Sequence, residues 1–274
     1  MQTLMFVNFV LCGRSSLRSP DLDKWNTSMP HERSDEALGN NRTRMDTLPQ
    51  LYHKQMIEVK RRLIAIDRIL GAKKGKPRTL TKDYDNEFMW LQLRKVVELV
   101  AFSAIAADKG RYVALRLQQD ANSNYQNDWR AEKILGHLSN INPKFLPQAC
   151  GQMKVQPDGT KHFEGLASAQ HATLDRLVSI HQTAGEYLHA GNPFDPNTEQ
   201  HEADMRAAAR ERIETEHAYL KIILAEHYKI GLEFKAGDDP MLLDNPKHAW
   251  IVVLGKPETP DIQMVHADAQ PVSP

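Results

Sequence analysis

Phe88-Met89-Trp90-Leu91-Gln92-Leu93-Arg94-Lys95-Val96-Val97-Glu98-Leu99-Val100-Ala101-Phe102-Ser103-Ala104-Ile105-Ala106-Ala107 is apolar on nearly every face. A helix shows that pattern when other elements surround it, so this stretch predicts the central helix of a mainly α fold. It begins near Asp83 and ends around Gly110, and a further helical stretch continues through Tyr112, Val113, Leu115 and Leu117. Arg94 and Glu98 interrupt the apolar surface four residues apart. That spacing puts them on one face, where they pair either as scaffold or as part of a polar site.

Working outward, Tyr52, Met56, Val59, Leu63, Ile66 and Leu70 alternate steps of four and three, with Ile57, Ile64 and Ile69 widening the stripe. An amphipathic helix over Leu51 to Leu70 follows, stopped at Gly71. A third helix is expected over roughly Asp128 to Asn140, with Trp129, Ile134, Leu135 and Leu138 inward. A fourth runs from a cap at Ser168 to about Ala190, and a fifth from about Thr198 to Leu232. Gln152 to Val155 and Lys161 to Glu164 flank a Pro-Asp-Gly turn and predict a hairpin near 152–164. Two further strands are expected near 250–254 and 261–266. The fold class is therefore mainly α: a single bundle of about five helices over 45–274 with a small antiparallel β appendage. Residues 1–44 carry no sustained period and are expected to be a disordered extension. Patterning begins just after Met45, so a start there would leave the fold untouched.

Lys+Arg and Asp+Glu are equal at 35 each in the 274 residues, so no global field draws the chain to nucleic acid or an anionic membrane. Between Lys54 and Lys82, however, ten basic residues face two acidic ones, and Lys73, Lys74, Lys76 and Arg78 crowd one loop. This segment is either a phosphate-contact surface or a solvated face, and no aromatics interleave with its charges. Cys12 and Cys150 make no disulfide framework. The apolar run Leu4 to Cys12 lacks the flanks of a signal peptide and falls short of the ~20 residues a membrane span needs, so no membrane partner and a cytoplasmic location are expected. A Gly-rich phosphate loop, His-Glu-x-x-His, Cys-x-x-Cys and Gly-x-Ser-x-Gly are all missing from the chain.

Three polar constellations remain. Arg176-Leu177-Val178-Ser179-Ile180-His181 places an Arg and a His on a helix with four residues between them. At this motif the chain resembles the HEPN superfamily of helical-bundle ribonucleases and toxins, whose signature is Arg, four to six residues, then His. The residue after the Arg is often polar in that family, whereas here it is Leu177; Arg130 and His137 meet the loose pattern too. The resemblance implies a homodimer acting on RNA without metal or other cofactor, with His181 as general acid or base and Arg176 on the scissile phosphate. In the structural alternative, Arg176 pairs with Asp175 or a carboxylate of the fifth helix, and His181 is a half-buried packing residue.

Glu186 with His189, and Glu214 with His217, form two Glu-x-x-His units; with Glu58 or Glu98 they match the ligand pattern of di-metal carboxylate bundles, although such units also arise by chance. No metal ligand is assigned. Finally, Gly185 to Phe194 gathers Tyr187, His189 and Asn192 at one helix end, either as a polar site or as a packed terminus. Three functions stay open: a HEPN-like ribonuclease, a non-enzymatic helical interaction module using the basic segment or an exposed apolar face, and a di-metal oxidase.

Overall fold

The computed structural model describes residues 36–72, 76–120, 124–142, 144–155, 157, 161–166, 171–231 and 248–268. α1 spans Glu36–Leu70 and buries Tyr52, Met56, Val59, Leu63, Ile66 and Ile69, the stripe expected from the spacing except that Ile69 replaces Leu70. Its backbone is helical well before Leu51, including 36–44, where disorder was expected. Lengthening a helix that is already packed adds a bond per residue without a new nucleation cost. Residues 1–35 lie outside the described residues.

α2 spans Lys82–Gln119 and is the hub, touching α1, α3, α4 and α5. Thr81 caps it by accepting the Tyr84 N–H, and Asp85 accepts the Arg78 and Thr79 N–H groups and the Thr79 hydroxyl, which locks the preceding loop. The two helical stretches expected on either side of Gly110 are one element, broken only by the non-helical backbone of Asp108. α3 spans Ala131–Ile141 and buries Ile134, Leu135 and Leu138, but Trp129 precedes the helix and is 67% exposed, the reverse of the expectation. α4 spans Leu174–Leu188 and is capped by Thr173; the expected cap, Ser168, lies outside the described residues.

α5 spans Thr198–Ala225 and passes without a loop into β3, Glu226–Gly231. This corrects the expected helix to Leu232. The spacing Leu220, Ile223, Leu224, Ile230 fits a continuing helix, yet the strand gains two ladders. β1 (Gln148–Val155) and β4 (His248–Val253) flank it, and β2 (Lys161–Gly165) and β5 (Gln263–Asp268) close a five-stranded antiparallel sheet in the order β2-β1-β3-β4-β5. Both expected strand pairs are present, Val155 opposite Lys161 and Ile251 opposite Val265. Gly255, which leaves β4 with φ of 67°, occupies the left-handed region that favours glycine.

Three polar anchors join sheet to bundle. Buried His227 must donate from Nδ1 to the Leu224 carbonyl (3.0 Å), so its Nε2 accepts the Tyr52 hydroxyl (2.9 Å); burial lowers its pKa to about 4 and keeps it neutral. Lys60 donates to the Leu254 and Asp261 carbonyls and to the Thr259 hydroxyl, which uses all three ammonium protons. Asp108, at the break in α2, meets Lys229 of β3 at 3.3 Å and Asn142 at 3.1 Å, with the Asp and Lys side chains fully buried. One hydrophobic cluster, from Tyr52 to Ile262, unites α1 to α5 with β4.

Candidate functional site

Arg176 and His181 are five positions apart on α4, which sets them roughly 140° apart around the helix. Arg176 turns to α5: its Nε lies 2.9 Å from Glu216, and its guanidinium sits over the Tyr219 ring. His181 turns to α2 and α3. Its Nδ1 is 3.1 Å from Glu132 and its Nε2 3.7 Å from Glu98. The two residues therefore share no site, and the expected Arg-His pair is replaced by a pairing of Arg176 with a carboxylate of α5.

The structure instead joins His181 to the central helix. Glu98 accepts from Arg94 Nε (3.3 Å) and Lys95 Nζ (2.8 Å) while facing His181. His181, Lys95 and Arg94 together overcome burial and hold the Glu98 carboxyl at about 2. Arg94 thus satisfies Glu98 along the helix, and Glu98 also reaches α4; the scaffold and site readings of the pair describe one cluster. Gly185 makes room for it, because a Cβ there would stand 3.1 Å from Arg94 Nη1. Glu132 completes the cluster from the first turn of α3. Nothing in its local pattern marked it, since only the packing of α3 beside α4 brings it to His181.

The other polar residues do not converge. Tyr187 stacks on Trp90 at 4.6 Å and donates its hydroxyl to the Met205 carbonyl (2.7 Å), burial raising its pKa. His189 ends α4 as an exposed cap residue, and the Asn192 side chain accepts the Phe194 N–H to shape the turn. The Glu-x-x-His units are spent separately: Glu214 pairs with Arg210 and His217 contacts the Leu63 carbonyl at 3.2 Å. Among the described residues no group of three or more His, Cys, Asp or Glu side chains is placed to hold a metal ion. Of the basic segment, Lys60 is a buried anchor and Arg61 and Arg62 pair with Glu58. Lys73 and Lys74 lie outside the described residues, while Lys76 and Arg78 are exposed.

The expectation that other elements cover α2 all round is corrected at its N-terminal half. Leu80, Tyr84, Phe88 and Leu91 are 84%, 51%, 39% and 39% exposed. From Tyr84 the positions step by four and three through Phe88, Leu91, Lys95 and Glu98, so they form one face that starts apolar and ends in the His181 cluster. The sequence did carry this signal. Met89, Leu93, Val96, Val97 and Val100 already fill an inward stripe, and Tyr84, Phe88 and Leu91 are an apolar surplus outside it. Among the described residues no helix is long and apolar enough to cross a membrane.

No family model, curated protein or solved structure matches the chain.

Proposed function

We propose that this protein is a helical interaction module whose contact surface is the open face of α2, and that its partner presents an amphipathic helix. One observation carries the reading: Leu80, Tyr84, Phe88 and Leu91 line up uncovered on and just before one helix. At the exposures given, these side chains leave roughly 400 Å² of apolar surface open, the size at which a contiguous patch is often functional. Their spacing matches the ridges that a second helix packs against, and Lys95 with Glu98 supplies a polar end that fixes its direction. Native size-exclusion chromatography of cell extract tests it. The chain should elute well above its 31.2 kDa, and Phe88→Glu should return it to monomer size with unchanged circular dichroism. Elution of the natural chain as a monomer at every concentration would refute the reading.

A second reading, metal-independent cleavage of RNA, draws support from His181 lying between Glu98 and Glu132, with Arg94 on Glu98. A histidine so placed can exchange a proton while its ring is held in orientation. In this version Arg94, and not Arg176, is the cation of the site. Incubation with RNA in EDTA should give cleavage that His181→Ala abolishes; equal activity in the variant eliminates it.

A further inference from the structure

The crowded basic segment finds only part of its use in the fold. Lys60, Arg61 and Arg62 are consumed by the Leu254–Asp261 loop and by Glu58, whereas among the described residues Lys76 and Lys82 make no ion pair. Both line a crevice of about 480 Å³ between the end of α1, the loop before α2 and the middle of α5. Arg210 of α5 also lines it, already paired with Glu214. The two carboxylates in the wall are already engaged: Asp85 by two backbone N–H groups and the Thr79 hydroxyl, and Glu214 by Arg210 at 3.3 Å. Asn86 contributes the one remaining polar wall, while Ile69, Leu70 and Pro77 make an apolar floor.

We infer that this crevice binds a small organic anion, a phosphate or carboxylate carrying an apolar group. Lys76 and Lys82, from the loop and the start of α2, make no ion pair among the described residues, and an anion between them gains charge-assisted contacts from both. The apolar floor gives the rest of the ligand a surface that a bare inorganic ion would not use. The volume lies within the range of small-ligand sites. The site is separate from the open face of α2 and from His181, and it stands whether or not either functional reading holds.

Isothermal titration of the full chain with phenyl phosphate, benzoate and inorganic phosphate tests the inference. Phenyl phosphate should bind more tightly than inorganic phosphate, and benzoate shows whether a carboxylate suffices as the anionic group. Lys76→Ala with Lys82→Ala should weaken phenyl phosphate by about 10-fold or more, the scale of lost charge-assisted contacts. Ala72→Phe, which fills the crevice and changes no charge, should weaken it as well. Thermal unfolding identical to the natural chain shows that each variant is folded. Binding unaffected by either substitution overturns the inference, as does phenyl phosphate binding no better than inorganic phosphate, or no binding at millimolar concentration. If single-stranded RNA competes and is sensitive to the lysine pair but not to Ala72→Phe, the cations are an open track and the inference is likewise overturned.

Discussion

Replacing Asp108 by Asn removes one charge from a fully buried pair and leaves the shape of the site intact. Asp108 faces Lys229 at 3.3 Å and accepts from Asn142, and its charge also acts on Arg111. At an effective dielectric of about 20, unit charges at this separation attract by roughly 5 kcal/mol, and stranding one partner of a buried pair typically costs about 3–5 kcal/mol. Asp108→Asn should therefore lose about 3 kcal/mol or more of folding stability. Lys229→Met leaves the carboxylate Asn142 and the charge of Arg111 and should lose less, and the double variant should lose less than the two single losses added together, because the charge that Asp108→Asn strands is gone. Urea unfolding at pH 7 followed by circular dichroism gives all three values and their coupling. A loss below about 1 kcal/mol for Asp108→Asn, or strictly additive losses, would refute the idea that this pair ties the break in α2 to β3.

The pH dependence of stability should carry two signatures. Glu98 is held at about 2, below the ordinary 4.5, so its contribution is complete above pH 4.5 and disappears as pH falls towards 2. Glu98→Gln should flatten acid unfolding in that window by about 1–2 kcal/mol, after allowance for solvent screening at a partly exposed site. His227 is kept neutral with its pKa lowered to about 4, so its contribution is complete above pH 6.5 and is lost as pH falls from there towards 4. His227→Phe should remove that loss while costing stability at pH 7 through the stranded Tyr52 hydroxyl; an unchanged acid profile would contradict the neutral histidine. Gly185→Ala should cost no more than about 1 kcal/mol, because the atom it meets is the mobile end of Arg94. A loss of several kcal/mol, measured by thermal unfolding, would show that the α2–α4 approach cannot give.

The helices were legible because their apolar residues repeat with the helical period. Tyr52, Met56, Val59, Leu63 and Ile66 on α1, and Leu177, Ile180 and Ala184 on α4, are buried as that period requires. β3 was hidden because its one large aliphatic residue, Ile230, keeps step with the preceding helix, and only pairing with β1 and β4 decides it. Trp129 was misplaced because its size marks it for burial, whereas it stands ahead of α3 with Arg130 over its ring. The polar cluster was half visible. Arg94 and Glu98 follow from spacing along one helix, but Glu132 reaches His181 only through the packing of two helices. Arg176 is beside His181 in the chain and far round the helix from it, a distinction that a four-residue gap does not display.

Photo-crosslinking tests the open face of α2 most directly. A photoreactive side chain at Leu91 should trap one discrete adduct in living cells, while the same group at Leu117, 48% exposed but away from this face, should trap none. Phe88→Glu should abolish the Leu91 adduct. Equal, diffuse labelling at both positions would show that Leu80, Tyr84, Phe88 and Leu91 are merely solvated surface, and would contradict the assignment of this face as the contact site.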